Sequence, residues 1–133
     1  MKHFRIIIAV AMITVIATLA FTAAHLESER EKHGLLRHVV AFKFKDDATQ
    51  EKIDAIVKTF ENLDSEIPFI VSIEHGTNNS PEGLNNGFTH CFILTFKTAK
   101  DRDAYLPHPA HKAFGQKLGP VLDKVFVIDY FTK

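Results

Sequence analysis

The sequence has no tryptophan, a single cysteine, two tyrosines and two methionines among 133 residues. One thiol, Cys91, excludes an internal disulfide. It is also a poor nucleophile candidate, because it alternates away from His90 within an apolar strand pattern, where thiols are usually inert. There is no excess of either charge: 16 basic residues balance 16 acidic ones. Without a basic stripe the chain carries no electrostatic footprint for nucleic acid. Glycine is sparse, and Gly76, Gly83 and Gly87 are separated by Asn and Pro turns with no Gly-Lys-Ser/Thr after them. That excludes a phosphate-cradling loop of the nucleotide-binding kind.

Acidic residues are missing altogether before Glu27, and this absence organises the N-terminus. Lys2 and Arg5 precede an almost wholly apolar run from Ile6 to Phe21, the pattern of an export signal. Thr22 and Ala24 put small residues at −3 and −1 of a cleavage after Ala24. Residues 1–24 are therefore expected to be a signal peptide, and the domain to be exported, periplasmic or secreted. The alternative is a retained membrane anchor, since a span needs roughly 20 residues and residues 6–24 approach that length. Membrane contact is expected only through that segment, if uncleaved. Removing Lys2 and Arg5 leaves fourteen basic against sixteen acidic residues, still no polyanion attractor. Residues 25–35 read as a charged tether.

The remaining hundred or so residues alternate between strand and helix periods. His38, Val40, Phe42 and Phe44 fall on one face of a strand, with Val39, Ala41 and Lys43 on the other. Asp47 is a candidate N-cap with Gln50 completing a capping box, and Ile53, Ile56, Val57, Phe60, Leu63 and Ile67 recur at helical spacing up to the Pro68 stop. Glu51, Asp54, Lys58 and Glu61 form its wet side. Phe69–Gly76 reads as a second strand with Ile70, Ser72 and Glu74 opposed to Val71, Ile73 and His75. A turn-rich loop over Thr77–Gly87 follows. Phe88–Lys97 is a third strand, with His90, Phe92, Leu94 and Phe96 on one side. A short helical turn at Ala99–Ala104, a helix carrying Ala110, Phe114 and Leu118, and a last strand over Val125–Phe131 complete the chain. The order β-α-β-β-α-β predicts an α+β, ferredoxin-like fold: a four-stranded antiparallel sheet with both helices on one face. Its other face is also apolar, so a second copy is expected to cover it.

The segment Tyr105-Leu106-Pro107-His108-Pro109-Ala110-His111 stands apart. Two prolines fix φ and remove two donors, which makes a stiff bend, and Pro109 suits the first turn of the helix that follows. A phenol and two imidazoles on such a corner can position protons near neutral pH. The structural alternative is that His108 caps the helix and Tyr105 simply packs. His38, His90, His108 and His111 could converge on a metal, but the two at a spacing of three, His108 and His111, would need a third ligand from another element, and no metal or cofactor is expected.

Several stretches together resemble the stress-responsive α/β-barrel (Dabb) family: His38-Val-Val-Ala-Phe-Lys-Phe-Lys45, Ile67-Pro68, Ser80-Pro-Glu-Gly-Leu-Asn85, Gly87-Phe-Thr-His90, Ala104-Tyr-Leu-Pro-His-Pro-Ala-His-Lys-Ala-Phe114 and Val127-Ile-Asp-Tyr130. The similarity runs from Leu36 to Phe131. It implies a dimeric α/β barrel in which two ferredoxin-like subunits join through their sheets.

The resemblance implies less about activity. The family includes stress-induced plant proteins without assigned catalysis, and one enzymatic member that cyclises a linear polyketide thioester by aldol condensation. Mapped on this chain, that enzyme's working positions are His38, His90, Tyr105, His111 and Asp129. The implied catalytic set is Tyr105, His111 and Asp129, with His38, Val40, Phe60, His90 and Phe92 binding substrate. In chemical terms His111 would take a proton beside a carbonyl, Asp129 would hold its other nitrogen, and Tyr105 would donate to the oxygen that gains charge. Of the aromatic rings that the enzyme presents from its first helix only Phe60 is kept, beside Ile56, Val57 and Glu61, so its substrate does not carry over. In the competing structural reading His111 pairs with Asp129 to lock helix to sheet, and His38 pairs with His90 across adjacent strands. Two functions stay open: an exported dimeric module that binds a small apolar carbonyl ligand or protects, and a polyketide-cyclase-like lyase.

Overall fold

Strict alternation from Leu36 to Phe44 buries every second residue, the mark of a strand with one face against a core. In the computed structural model, which describes residues 16–22 and 34–133, this strand is β1 (Leu36–Phe44). It is followed by α1 (Gln50–Glu61), α2 (Leu63–Glu66), β2 (Ile70–Thr77), β3 (His90–Phe96), α3 (Ala99–Tyr105), α4 (Pro109–Leu118) and β4 (Leu122–Phe131). The strands form one antiparallel sheet in the order β2-β3-β1-β4, as the ferredoxin-like reading requires. Residues 16–22 are helical and form part of a separate unit that ends at His33. The expected signal and cleavage positions otherwise lie outside the described residues. Among the described residues no helix is long and apolar enough to cross a membrane.

The third strand starts later than expected, at His90, and the last earlier, at Leu122, and local chemistry departs from the expected pattern elsewhere. Thr49, not Asp47, caps α1, its side chain accepting from the Lys52 amide. Both residues can cap, and the chain turns in at the later one. The long apolar periodicity is divided at Asn62, whose side-chain amide donates to the Lys58 carbonyl and whose own carbonyl accepts from the Ser65 hydroxyl. A register shift between Ile70 and Ser72 reverses the phase of β2. As a result Ile73 and His75, opposite Leu94 and Phe92, share the face of Ile70. His108 caps α4, its Nδ1 accepting from the Ala110 amide, and Pro109 occupies the first turn.

The core is aromatic. Phe60 of α1 lies 4.2 Å from Phe92 and 4.9 Å from Phe114, ring centre to ring centre, and Phe42 joins all three. These contacts bind α1 and α4 to β1 and β3. β4 is different: as an edge strand it leaves Val125 and Val127 about half exposed on the helix side, and Phe126, Ile128 and Tyr130 on the other.

Phe60 is 1% exposed and central to the cluster. Phe60→Ala is expected to destabilise the domain by about 3–5 kcal/mol, read as a lower urea midpoint at unchanged slope.

Candidate functional site

The helix layer covers β1 fully but reaches β4 only in part, and between the two lies a cavity of about 400 Å³. Its apolar wall is Val40, Phe42, Phe60, Phe114, Leu118, Val125 and Val127, and its polar groups are His38, Arg102, Tyr105, His111 and Asp129. Short valines from the sheet meet aromatic rings from the helices, which leaves the space unfilled. A volume in this range suits a small organic molecule.

Strand register builds the polar end. β1 and β4 pair antiparallel so that His38 stands directly opposite Asp129. His38 Nδ1 lies 2.6 Å from Asp129 Oδ1, and the Arg102 guanidinium meets Asp129 Oδ2. Burial, then the charge of Arg102, then His111, press His38 down to about 4 from its ordinary 6.5. At neutral pH the contact is therefore a neutral imidazole donating its Nδ1–H to a carboxylate, rather than an ion pair.

Tyr105 ends α3 fully buried, its ring 4.3 Å from that of His111 and 5.8 Å from that of His38. Its hydroxyl has no hydrogen-bond partner among the described residues. A buried hydroxyl without a partner costs about 1–3 kcal/mol. Burial also drives its pKa upward, so the phenol keeps its proton as a donor. His111, half buried on the first turn of α4, donates from Nδ1 to the Leu106 carbonyl at 2.9 Å. This bond fixes the tautomer and leaves Nε2 as an acceptor.

Two expected pairings are corrected. His111 does not bond Asp129, whose two oxygens are taken by His38 and Arg102. His38 and His90 do not pair either: His38 stands opposite Leu94 and His90 opposite Phe42, four pairs along the ladder, and the His90 Nδ1 bonds the Thr89 hydroxyl. Tyr105, His111, Asp129, His38, Val40 and Phe60 thus come together around the cavity, whereas His90 and Phe92 lie apart from its wall. Phe92 is core, stacked on His75, which also contacts Glu61 at 2.6 Å. Glu61 accordingly belongs to an α1–β2 contact rather than a purely wet face. Arg102 escaped the sequence reading because Asp101 and Asp103 beside it look like solvated surface. Its position three residues before Tyr105, on one helix face, was the available signal. Among the described residues no three His, Cys, Asp or Glu side chains are grouped as a metal would need.

Because His38 is depressed in the folded state, the unfolded chain binds the extra proton below 6.5 and the folded chain does so only near 4. The stability it supports is complete above pH 6.5 and declines as pH falls toward 4, by on the order of 3 kcal/mol. Urea unfolding at pH 7, 5.5 and 4 should show this loss in the native chain. In His38→Gln the pH slope over that window should be shallower; an equal slope would refute the assignment.

A family model described as "Stress responsive A/B Barrel Domain" matches residues 36–132. The stress-response A/B barrel domain-containing protein HS1 of Arabidopsis thaliana is 38% identical over 100 residues, covering 75% of this chain and 92% of that protein. Olivetolic acid cyclase of Cannabis sativa is 30% identical over 95 residues, covering 71% of this chain and 94% of the cyclase. Among solved structures, hydroxynitrile lyase from Passiflora edulis is 27% identical with a TM-score of 0.70, covering 75% of this chain and 94% of that one. A dimeric ferredoxin-like protein of unknown function from Bacteroides fragilis is 27% identical with a TM-score of 0.61, covering 74% and 97%. The strand order, the helices on one face and the family match over nearly the whole folded unit lead to one conclusion: the chain belongs to the stress-responsive A/B barrel domain family.

Proposed function

We propose that the cavity binds a small, largely apolar carbonyl compound and moves a proton at the carbon beside the carbonyl, a lyase-type reaction. The observation that carries this is the juxtaposition, in an open apolar cavity, of an unpartnered Tyr105 hydroxyl and a tautomer-fixed His111. His111 Nε2 takes the proton from the carbon. The electron pair left behind moves onto the carbonyl oxygen, where the Tyr105 O–H donates a hydrogen bond. The enolate then attacks a second carbonyl carbon or is reprotonated by His111. Val40, Phe60, Leu118 and Val127 offer surface to an alkyl or aryl tail. That two relatives are a cyclase and a hydroxynitrile lyase supports reading the cavity as a reaction site for small carbonyl chemistry. The substrate itself differs from the cyclase's on this reading, because the first helix presents only Phe60 as an aromatic ring.

The second reading is a ligand-binding or protective module without turnover. Asp129 favours it, because its two oxygens are held by His38 and Arg102 in a fixture that ties strand to helix and leaves none for His111.

In either case the working form is a homodimer joined through the sheet face. Phe126, Ile128 and Tyr130 lie about half exposed on the side away from the helices, and a structural relative is described as dimeric. The domain acts outside the cytoplasm, a reading supported by Lys2, Arg5 and the apolar run to Phe21.

Solvent-deuterium incorporation into a linear methyl ketone, followed by NMR, tests the reaction. The native protein should accelerate exchange. His111→Ala and Tyr105→Phe should each lower it about 10²–10⁴-fold, and Tyr105→Phe should do so with stability unchanged or raised by about 1–3 kcal/mol, since it removes an unpartnered hydroxyl. Binding without exchange would leave the module reading. Exchange unaffected by either variant would refute the roles of both residues.

A further inference from the structure

Among the described residues that line the cavity Asp129 is the only carboxylate, and His38, Arg102, Tyr105 and His111 are the other titratable or charged groups. Three elements converge on it: β1 through His38, α3 through Arg102, and β4 itself. The side chains of Arg102 and Asp129 are each 23% exposed, whereas that of His38 is 8% exposed, so the charge pair lies toward the mouth and the imidazole deeper.

We infer that Arg102 is a positioning residue of the cavity: by occupying one oxygen of Asp129 and balancing its charge, it keeps His38 a neutral donor at Nδ1 and a bare acceptor at Nε2. The reason is electrostatic. A carboxylate facing a buried imidazole with no other cation nearby stabilises the imidazolium form, in which both ring nitrogens carry protons. A guanidinium on the same carboxylate already supplies the positive charge, so a second cation at His38 is repelled. Of the groups facing His38, Asp129 favours its charged form and the others do not. Arg102 from α3 opposes its protonation, as does His111 from α4, and Phe96 of β3 and Tyr105 of α3 pack edge-on against its ring without offering a charge. Arg102 is itself anchored, its Nε donating to Asp103 at 2.8 Å. The guanidinium therefore acts on the cavity through Asp129 and His38.

The consequence for the site is a second proton acceptor beside the Tyr105–His111 pair. The use made of that acceptor rests on the carbonyl-compound reading above; the protonation state of His38 does not. A ligand carrying a hydroxyl as well as a carbonyl would find both a donor, Tyr105, and acceptors, His38 and His111, around one apolar space.

Histidine ring NMR on the ¹⁵N-labelled full chain tests this without a substrate. In the native protein His38 should show the Nδ1–H tautomer and stay neutral to below pH 5. In Arg102→Met its midpoint should rise by about one to two pH units, because the opposing cation is gone and Asp129 is left uncompensated. Arg102→Lys, which retains the charge, should stay near the native midpoint. If Arg102→Met unfolds, Arg102→Gln provides the same neutralisation with a polar side chain. A fall in melting temperature with the His38 midpoint and tautomer unchanged would make Arg102 merely structural and overturn the inference. A raised midpoint in a protein that exchanges no ketone would uphold it and reject the catalytic reading instead.

Discussion

A carboxylate shared between an imidazole and a guanidinium holds this domain's functional end together. Asp129 stands on β4, an edge strand whose residues from Val125 onward are largely exposed. It is bound to β1 by the ladder and by His38, and to α3 by Arg102. Burying a lone carboxylate is costly, so the residue must be paired wherever it lies. Pairing it twice turns that requirement into a tie between sheet and helix layer. It also adds to what burial does in keeping His38 neutral.

The cavity itself follows from how side-chain volume is distributed. Phe42, Phe60, Phe92 and Phe114 fill the space between α1, α4 and the centre of the sheet. Toward β4 the sheet presents valines, and the helices above carry Leu118 and the half-buried His111. Interiors close to crystal-like density when volumes match. Here they do not, and the mismatch coincides with Tyr105, a buried hydroxyl without an acceptor among the described residues. A core designed only for stability would have replaced that hydroxyl with phenylalanine, since leaving a donor unsatisfied is destabilising. Its presence beside a tautomer-fixed imidazole is what favours chemistry over packing.

Much of this was readable before any coordinates. The alternation of His38, Val40, Phe42 and Phe44 placed the first strand and its inner face, the Pro107 and Pro109 pair marked the bend, and element order fixed the sheet topology. That Asp129 needed a partner was also clear, but the partner was not. Identifying His38 requires the β1–β4 register, a tertiary property, whereas the resemblance to the family's enzymatic member pointed to His111. His38 and His90 lie on the same face of neighbouring strands, yet the register offsets them by four pairs. The bulge at the start of β2 hid the inward position of His75 because a single inserted residue reverses a period-two pattern. Arg102 was obscured by its acidic neighbours, although helical spacing put it with Tyr105.

The central claim is that Tyr105 offers its proton to a carbonyl oxygen in this cavity. With only two tyrosines in the chain, Tyr105 and Tyr130, the ¹³Cζ spectrum of tyrosine-labelled protein reduces to two resonances that can be followed separately. Titration with a linear aliphatic ketone should move the Tyr105 resonance in a saturable manner as its hydroxyl gains an acceptor, while Tyr130, on the opposite face of the sheet, stays in place. If Tyr105 does not respond, or if both resonances drift together without saturating, the cavity does not use this hydroxyl and the account fails.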